Sequence, residues 1–256
     1  MRRLRQGVAA VILAATMLLT GTAQPARAAD GAADKVVDLA LLAWNVYKAG
    51  AITPEQAVQF VRLLTGAISE TENAVISHID SIEAREVMGH LRSISYGMAD
   101  YEAIRENEVW LAEYVRQTLS GYAGNAFEKY RGVSSVKAKD QIALAAQSIY
   151  PTLLTVATDA GMPAALARAE ADYRELMGDI VKDLEPRCTY VQVHGSNPPH
   201  YLHECTAVNG EKSSKVFDTT QPSAADLYDL KAKAAKDSAW LAARRTLDGV
   251  GPGNGP

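Results

Sequence analysis

The chain has 256 residues, with 26 Lys and Arg against 30 Asp and Glu. A slightly acidic balance does not attract nucleic acid or anionic lipid through long-range charge, so a nucleic-acid-binding function is not expected. Beyond the N-terminal segment there is no run of 18 apolar residues, and the sequence therefore predicts no transmembrane helix in the mature protein.

The first 28 residues have the composition of a secretory signal peptide. Three arginines precede an apolar run over residues 7–19, and Ala26-Arg27-Ala28 fits the small-x-small rule of signal peptidase. We expect residues 1–28 to be removed and the mature protein to begin at Ala29, secreted to the extracellular space. The signal contains four arginines and no acid, which leaves 22 basic and 30 acidic residues and a net charge of −8.

The mature region, residues 29–248, is predicted to be one mainly helical domain of five or six helices. The first helix, about 34–49, is apolar nearly all round and should be buried on several sides. A second helical stretch over about 53–97 begins with the capping box of Thr53 and Gln56. As one helix it would be about 65 Å long, which is typical of a coiled coil or of a partly elongated bundle.

The sequence does not decide whether this long stretch is one continuous helix. Glycines mark the places where it is most easily interrupted. Gly66 and Gly89 are the candidate breaks, since glycine weakens a helix interior. A third helix is predicted from about 100 to 119, with an extension to 130. Ser134 or Ser135 then caps a fourth helix, which Pro151 should kink.

The C-terminal third of the sequence contains β-strand patterns as well as helical ones. A helix is predicted over 163–184, behind a turn, and a last helix over 223–247. Residues 188–218, between them, are predicted to form a β-hairpin with a possible third strand. The Gly/Pro-rich tail, 249–256, is expected to be disordered.

The two cysteines, Cys188 and Cys205, lie near the open end of this hairpin. In an oxidising compartment such a pair is expected to form a disulfide, which stabilises the fold by roughly 3 kcal/mol on the chain-entropy model. The predicted fold class is therefore mainly α: a partly elongated helical bundle with a small disulfide-bridged β-hairpin near the C-terminus.

Three histidines, His194, His200 and His203, fall in the hairpin, and the sequence leaves open whether they bind metal. His203 lies three residues past His200, which in a strand places it on the opposite face and argues against one shared ion. Elsewhere, Glu86 and His90 lie one helical turn apart, and the third helix is rich in glutamates. Both are expected to be solvated helix faces.

No nucleophile elbow, Walker loop, zinc-protease motif or other catalytic signature is present, and no cofactor is expected. The sequence favours a secreted binding protein with an extracellular protein partner, contacted by the rigid polar tip of the hairpin. One alternative is a pore-forming or membrane-acting toxin that uses segments 36–47 and 142–157. Another is an extracellular hydrolase that uses carboxylates or the hairpin histidines.

Overall fold

A computed structural model describes residues 31–76, 81–196 and 198–250 of the chain. The predicted fold class is confirmed, because the described chain is mainly helical with one small antiparallel sheet and a Cys188–Cys205 disulfide. The predicted signal peptide and the last six residues of the predicted tail lie outside the described residues.

Helices and strands follow one another in a simple order. The helices are α1 (Ala32–Ala49), α2 (Pro54–Ile76), α3 (Ile82–Ala99), α4 (Tyr101–Arg105), α5 (Glu108–Glu113), a π-helical turn (Tyr114–Leu119), α6 (Ser120–Gly132), α7 (Val136–Asp159), α8 (Pro163–Asp183), α9 (Ala224–Ala234) and α10 (Ala239–Gly249). The strands β1 (Arg187–Gln192), β2 (Tyr201–Thr206) and β3 (Lys212–Phe217) lie between α8 and α9. They form an antiparallel sheet in the order β1-β2-β3.

Helix α7 lies at the centre of the fold. It packs against α1, α2, α3, α6, α8 and α10, and every residue from Ile142 to Thr158 is buried. The helix begins at the predicted cap, where the Ser135 side chain accepts from the backbone N–H of Ala138. It continues through Pro151 to Asp159. Such uniform burial explains why the segment is apolar on all sides rather than along one stripe.

The long periodic stretch over 53–97 is two helices and not one. Glu72, near the end of α2, pairs with Arg92 of α3. In a continuous helix these side chains would lie about 30 Å apart, so the chain must reverse direction between them. The second helix begins at Ser81, whose side chain accepts from the N–H of Ala84. Neither Gly66 nor Gly89 breaks a helix, and the single long helix behind the coiled-coil expectation does not form.

Two other predicted helices are divided by polar caps. The Asn107 side chain accepts from the N–H groups of Val109 and Trp110, and therefore starts α5 as a separate helix after α4. Ser238 caps α10 in the same way and separates it from α9. These side chains compete with the helical backbone for hydrogen bonds, which ends one helix and begins another.

Gly249, the first residue of the predicted tail, is the last residue of α10, and Val250 after it is buried. Among residues 31–76, 81–196 and 198–250, no helix combines the length and apolarity needed to cross a bilayer. Segments 36–47 and 142–157, considered above for a toxin, lie within α1 and α7 and contribute largely to the core.

Candidate functional site

The three-stranded sheet is built around its disulfide. Cys188 of β1 lies directly opposite Cys205 of β2, with the Cα atoms 4.0 Å apart, and the two sulfurs are bonded. Cys205 is fully buried and belongs to the same hydrophobic core as the helices. The predicted pairing is confirmed.

One edge of the sheet carries backbone groups that point away from the other strands. Beyond the end of β1, the Val193 N–H donates to the carbonyl of His200 at 2.8 Å. In an antiparallel pair, hydrogen-bonded positions alternate with positions whose N–H and C=O groups point outward. Counting back from Val193, the outward positions are Cys188, Tyr190 and Gln192. The register agrees, since Cys188 faces Cys205 at the shorter spacing of a non-hydrogen-bonded pair.

The outer face of the sheet carries an apolar row. Val191, Leu202 and Val216 stand side by side across the three strands. Val191 is 61% exposed and Val216 is 52% exposed, whereas Leu202 is half-buried. The end of the sheet that we expected to be polar therefore presents aliphatic side chains to solvent. Exposed β-branched residues on a pleated surface are available to pack against another chain.

The inner face of the sheet is fixed by His203. This side chain is only 4% exposed, its ring lies 5.2 Å from those of Tyr190 and Phe217, and its Nε2 lies 3.1 Å from the carbonyl oxygen of Thr219. Helix α9 packs on β2 and β3 from the same side. The polar histidine is buried because its ring stacks while its nitrogen has a backbone partner.

The hairpin histidines have separate environments. His194 is exposed in the turn after β1, and His200 Nδ1 lies 2.5 Å from Oδ1 of Asp218. His203 is the buried residue described above. Among the described residues, no group of three or more His, Cys, Asp and Glu side chains is arranged to hold a metal ion.

A second candidate site is an acidic cleft of about 410 Å³ that the sequence did not predict. Its walls come from α2, the start of α7, the turn between β2 and β3, and the connection between α9 and α10. Four carboxylates line it, together with the ammonium group of Lys137: Glu70, Asp140, Glu211 and Asp237. Burial and the charge of Asp237 raise the pKa of Glu211, whose Oε2 has no hydrogen-bond partner in the described chain.

Asp140 is the most perturbed acid of this cleft. Burial raises the pKa of its carboxyl to about 6, although hydrogen bonds from Ser238 and Ala239 act in the opposite direction. The Ser238 hydroxyl and the Ala239 N–H both donate to Oδ1 at 2.8 Å. Asp140 therefore helps to hold the start of α10, a structural role. A carboxyl with a pKa near 6 is also able to exchange protons at neutral pH.

Glu86 and His90, considered above from the sequence, have structural contacts. Glu86 accepts a hydrogen bond from Asn125 at 3.0 Å and pairs with Lys129 at 2.9 Å. His90 stacks on Tyr122 with the ring centroids 4.3 Å apart. These contacts tie α3 to α6, so this face is part of a helix interface rather than only a solvated surface.

No protein-family model, no curated protein and no solved structure matches this chain.

Proposed function

We propose that this protein is an exported binding protein that captures an extended segment of a partner protein on the free edge of β1. The segment would add a fourth strand to the sheet, a recognised mode of peptide binding in which backbone hydrogen bonds supply much of the affinity. The observation that carries the proposal is the outward direction of the backbone groups of Cys188, Tyr190 and Gln192.

The composition of this edge supports capture of a strand. Exposed edges are usually protected by lysine, proline or a bulge. From Cys188 to His194 the chain has neither proline nor any charged Lys, Arg, Asp or Glu, and every β1 residue except Cys188 is exposed. An added strand would continue the row of Val191, Leu202 and Val216. The expected partner segment is therefore uncharged and carries a β-branched or aromatic residue opposite Val191.

Rigidity of the sheet also supports this function. The Cys188–Cys205 disulfide closes one end of the β1–β2 pair, and the buried His203 anchors its middle. A binding edge that is already ordered loses less conformational entropy when a partner pairs with it.

Export is the second part of the proposal. It is supported by the signal-like residues 1–28 and by a disulfide, which persists in oxidising compartments. Expression of the full chain in a secreting host should yield a protein in the medium whose mass and N-terminal sequence begin at Ala29. An intact chain that stays in the cytosol with reduced Cys188 and Cys205 would contradict it.

A proline substitution tests strand capture directly. We would select a displayed library of random peptides on the mature protein, then measure the affinity of the best peptide by calorimetry. Gln192→Pro removes an outward N–H but leaves the bonds between β1 and β2 in place, because proline is tolerated on an open edge. The expected result is binding that is at least about tenfold weaker, with unchanged binding to Gln192→Ala.

The outcomes of that experiment are distinct. Peptides that bind Gln192→Pro as well as they bind the parent protein would reject the β1 edge as the site. Slower amide exchange at Tyr190 and Gln192 with the peptide bound would support it. A dimer that forms with increasing concentration and is lost in Gln192→Pro would assign the edge to a second copy of this chain instead.

The acidic cleft favours one alternative, an extracellular hydrolase. Its supporting observation is the carboxyl of Asp140, whose pKa of about 6 suits general acid or base chemistry. The test is turnover of polysaccharide and peptide substrates by the mature protein and by Asp140→Asn. Turnover that disappears in a folded Asp140→Asn protein would support the hydrolase alternative. Absence of turnover by the parent protein would reject that alternative.

A further inference from the structure

A cleft of about 500 Å³ lies between α8, α9 and α10. Helix α10 packs on α8, whereas α9 packs on β2 and β3, and a gap remains between α9 and the other two helices. The gap is bridged by Lys231 of α9, whose ammonium nitrogen lies 2.6 Å from a carboxylate oxygen of Glu185, just past α8. Small residues on the walls, Gly178 and Ala224, keep the cleft open. Its volume falls within the range of small-molecule sites.

Part of the cleft surface is apolar. Its aromatic and aliphatic side chains are Val181, Leu227, Tyr228 and Trp240. Trp240 is only 3% exposed and supports the ring of Tyr228, with the two ring centroids 6.2 Å apart. Tyr228 is 36% exposed, and Val181 and Leu227 are half-buried. An apolar group that covers these side chains would remove them from water, and that burial favours binding.

The charged residues of the cleft are mostly basic. Lys182, Lys231 and Arg244 line it, and Glu185 is the one acid among the lining residues that the structure describes. The pair of Lys231 with Glu185 is neutral, which leaves Lys182 and Arg244. Lys182 is exposed and forms no ion pair with another described residue. Arg244 pairs with Asp248 at 3.5 Å, but such exposed pairs contribute little. The cleft therefore has excess positive charge in a chain with more acidic than basic residues.

We propose that this cleft binds a small aromatic carboxylate. The ring would lie on Tyr228 and Leu227, where contact between aromatic rings adds to apolar burial. The carboxylate would pair with Lys182 and Arg244, and a planar guanidinium can donate two hydrogen bonds to one carboxylate. Charge complementarity sets the sign of the ligand, since a cation would be repelled and a neutral analogue would gain no ion pair. The residues of this cleft do not belong to β1, so the site does not depend on strand capture.

Two matched probes test the proposal on the mature protein by ligand-observed NMR at low salt. 2-Naphthoate carries the negative charge, and 2-naphthamide has nearly the same shape without it. We expect the carboxylate to bind more tightly than the amide, and added salt to remove much of the difference. The double variant Lys182→Gln, Arg244→Gln should weaken naphthoate binding about tenfold and leave naphthamide binding unchanged. The control is Lys233→Gln, an exposed α9 lysine outside the cleft lining, which should bind both probes like the parent.

A variant that fills the cleft locates the probes. A Cβ atom added at Gly178 would meet nothing within 4 Å, so Gly178→Leu should fold and abolish binding of both probes. The matched control is Gly121→Leu, at a helical glycine with the same free space outside the cleft lining, which should bind them normally. Gln192→Pro should also bind both probes, which separates this site from the β1 edge.

Three results would overturn the proposal. The first is failure of 2-naphthoate to bind the parent protein. The second is equal affinity of the parent for the two probes, or naphthoate binding that is unchanged in the double variant at Lys182 and Arg244. The third is naphthoate binding that persists in Gly178→Leu, which would place the probe elsewhere on the protein.

Discussion

Arg105 and Asp159 form a two-point ion pair that joins the short helix α4 to the end of α7. Nε of Arg105 lies 3.1 Å from Oδ2 and Nη2 lies 3.2 Å from Oδ1. The Tyr101 hydroxyl donates to the same Oδ2 at 2.7 Å. A carboxylate at the C-terminal end of a helix is opposed by the helix dipole, so Asp159 depends on these partners.

Asp159→Asn should lower the free energy of unfolding by about 2 kcal/mol, because it leaves a largely buried guanidinium without its counter-charge. The two side chains are only 19% and 13% exposed. Urea denaturation of the mature protein measures the change. The matched control is Asp229→Asn, which breaks the exposed pair with Lys233 and should change stability by less than about 0.5 kcal/mol. Equal effects of the two variants would contradict this account.

The buried carboxyl of Asp140 should give the fold a specific pH dependence. Its pKa is raised from 3.8 to about 6, so the folded state holds this proton more tightly than the unfolded state. Its contribution to stability is therefore greatest below about pH 4 and falls as the pH rises to about 6, by roughly 3 kcal/mol in total.

Asp140→Asn isolates that contribution, because the amide oxygen still accepts from Ser238 and Ala239. Urea denaturation of both proteins from pH 4 to pH 7 should show the parent losing stability relative to the variant as the pH rises. A constant difference across that range would mean that Asp140 does not titrate there.

Reduction of the disulfide should lower the free energy of unfolding by about 3 kcal/mol. Cys188 and Cys205 are 17 positions apart, and opening a loop of this length restores that much conformational freedom to the unfolded chain. Urea curves with and without reductant give the value. The double variant Cys188→Ala, Cys205→Ala should unfold like the reduced protein and show no response to reductant. A response of the double variant would mean that the reductant acts elsewhere.

Substitution by alanine at two helical glycines should change the stability of the protein in opposite directions. Nothing lies within 4 Å of a Cβ at Gly121, so Gly121→Ala should raise the free energy of unfolding by about 0.5–1 kcal/mol. At Gly97 the same atom would lie 2.6 Å from the hydroxyl oxygen and 3.0 Å from Cζ of Tyr114. The whole ring would have to move, and Gly97→Ala should lower the melting temperature. Calorimetry of both variants decides whether this contact is tight.

Local signals in the sequence predicted much of the fold. Thr53 and Ser135 cap the helices for which they were proposed, and Cys188 pairs with Cys205. Each of these features depends on residues close in sequence or on a short hairpin. The division of α4 from α5 was not predicted, because apolar spacing continues across Asn107 and only its side-chain hydrogen bonds mark the new helix.

The candidate sites were harder to predict than the fold. The acidic cleft combines Glu70, Asp140, Glu211 and Asp237, which come from four distant segments and have no fixed spacing. The row of Val191, Leu202 and Val216 depends on the register of three strands, and the sequence had indicated only a polar tip. In both cases the property belongs to the tertiary arrangement, which one sequence does not encode as a motif.

The contact of α1 with α10 brings the two ends of the described chain together. Asp34 pairs with Arg245, and Gly249 passes close to Leu41. The first helix of a growing polypeptide therefore lacks one of its packing partners until α10 has been synthesised. Truncation within α10 would therefore expose the buried side of α1 at the other end of the described chain.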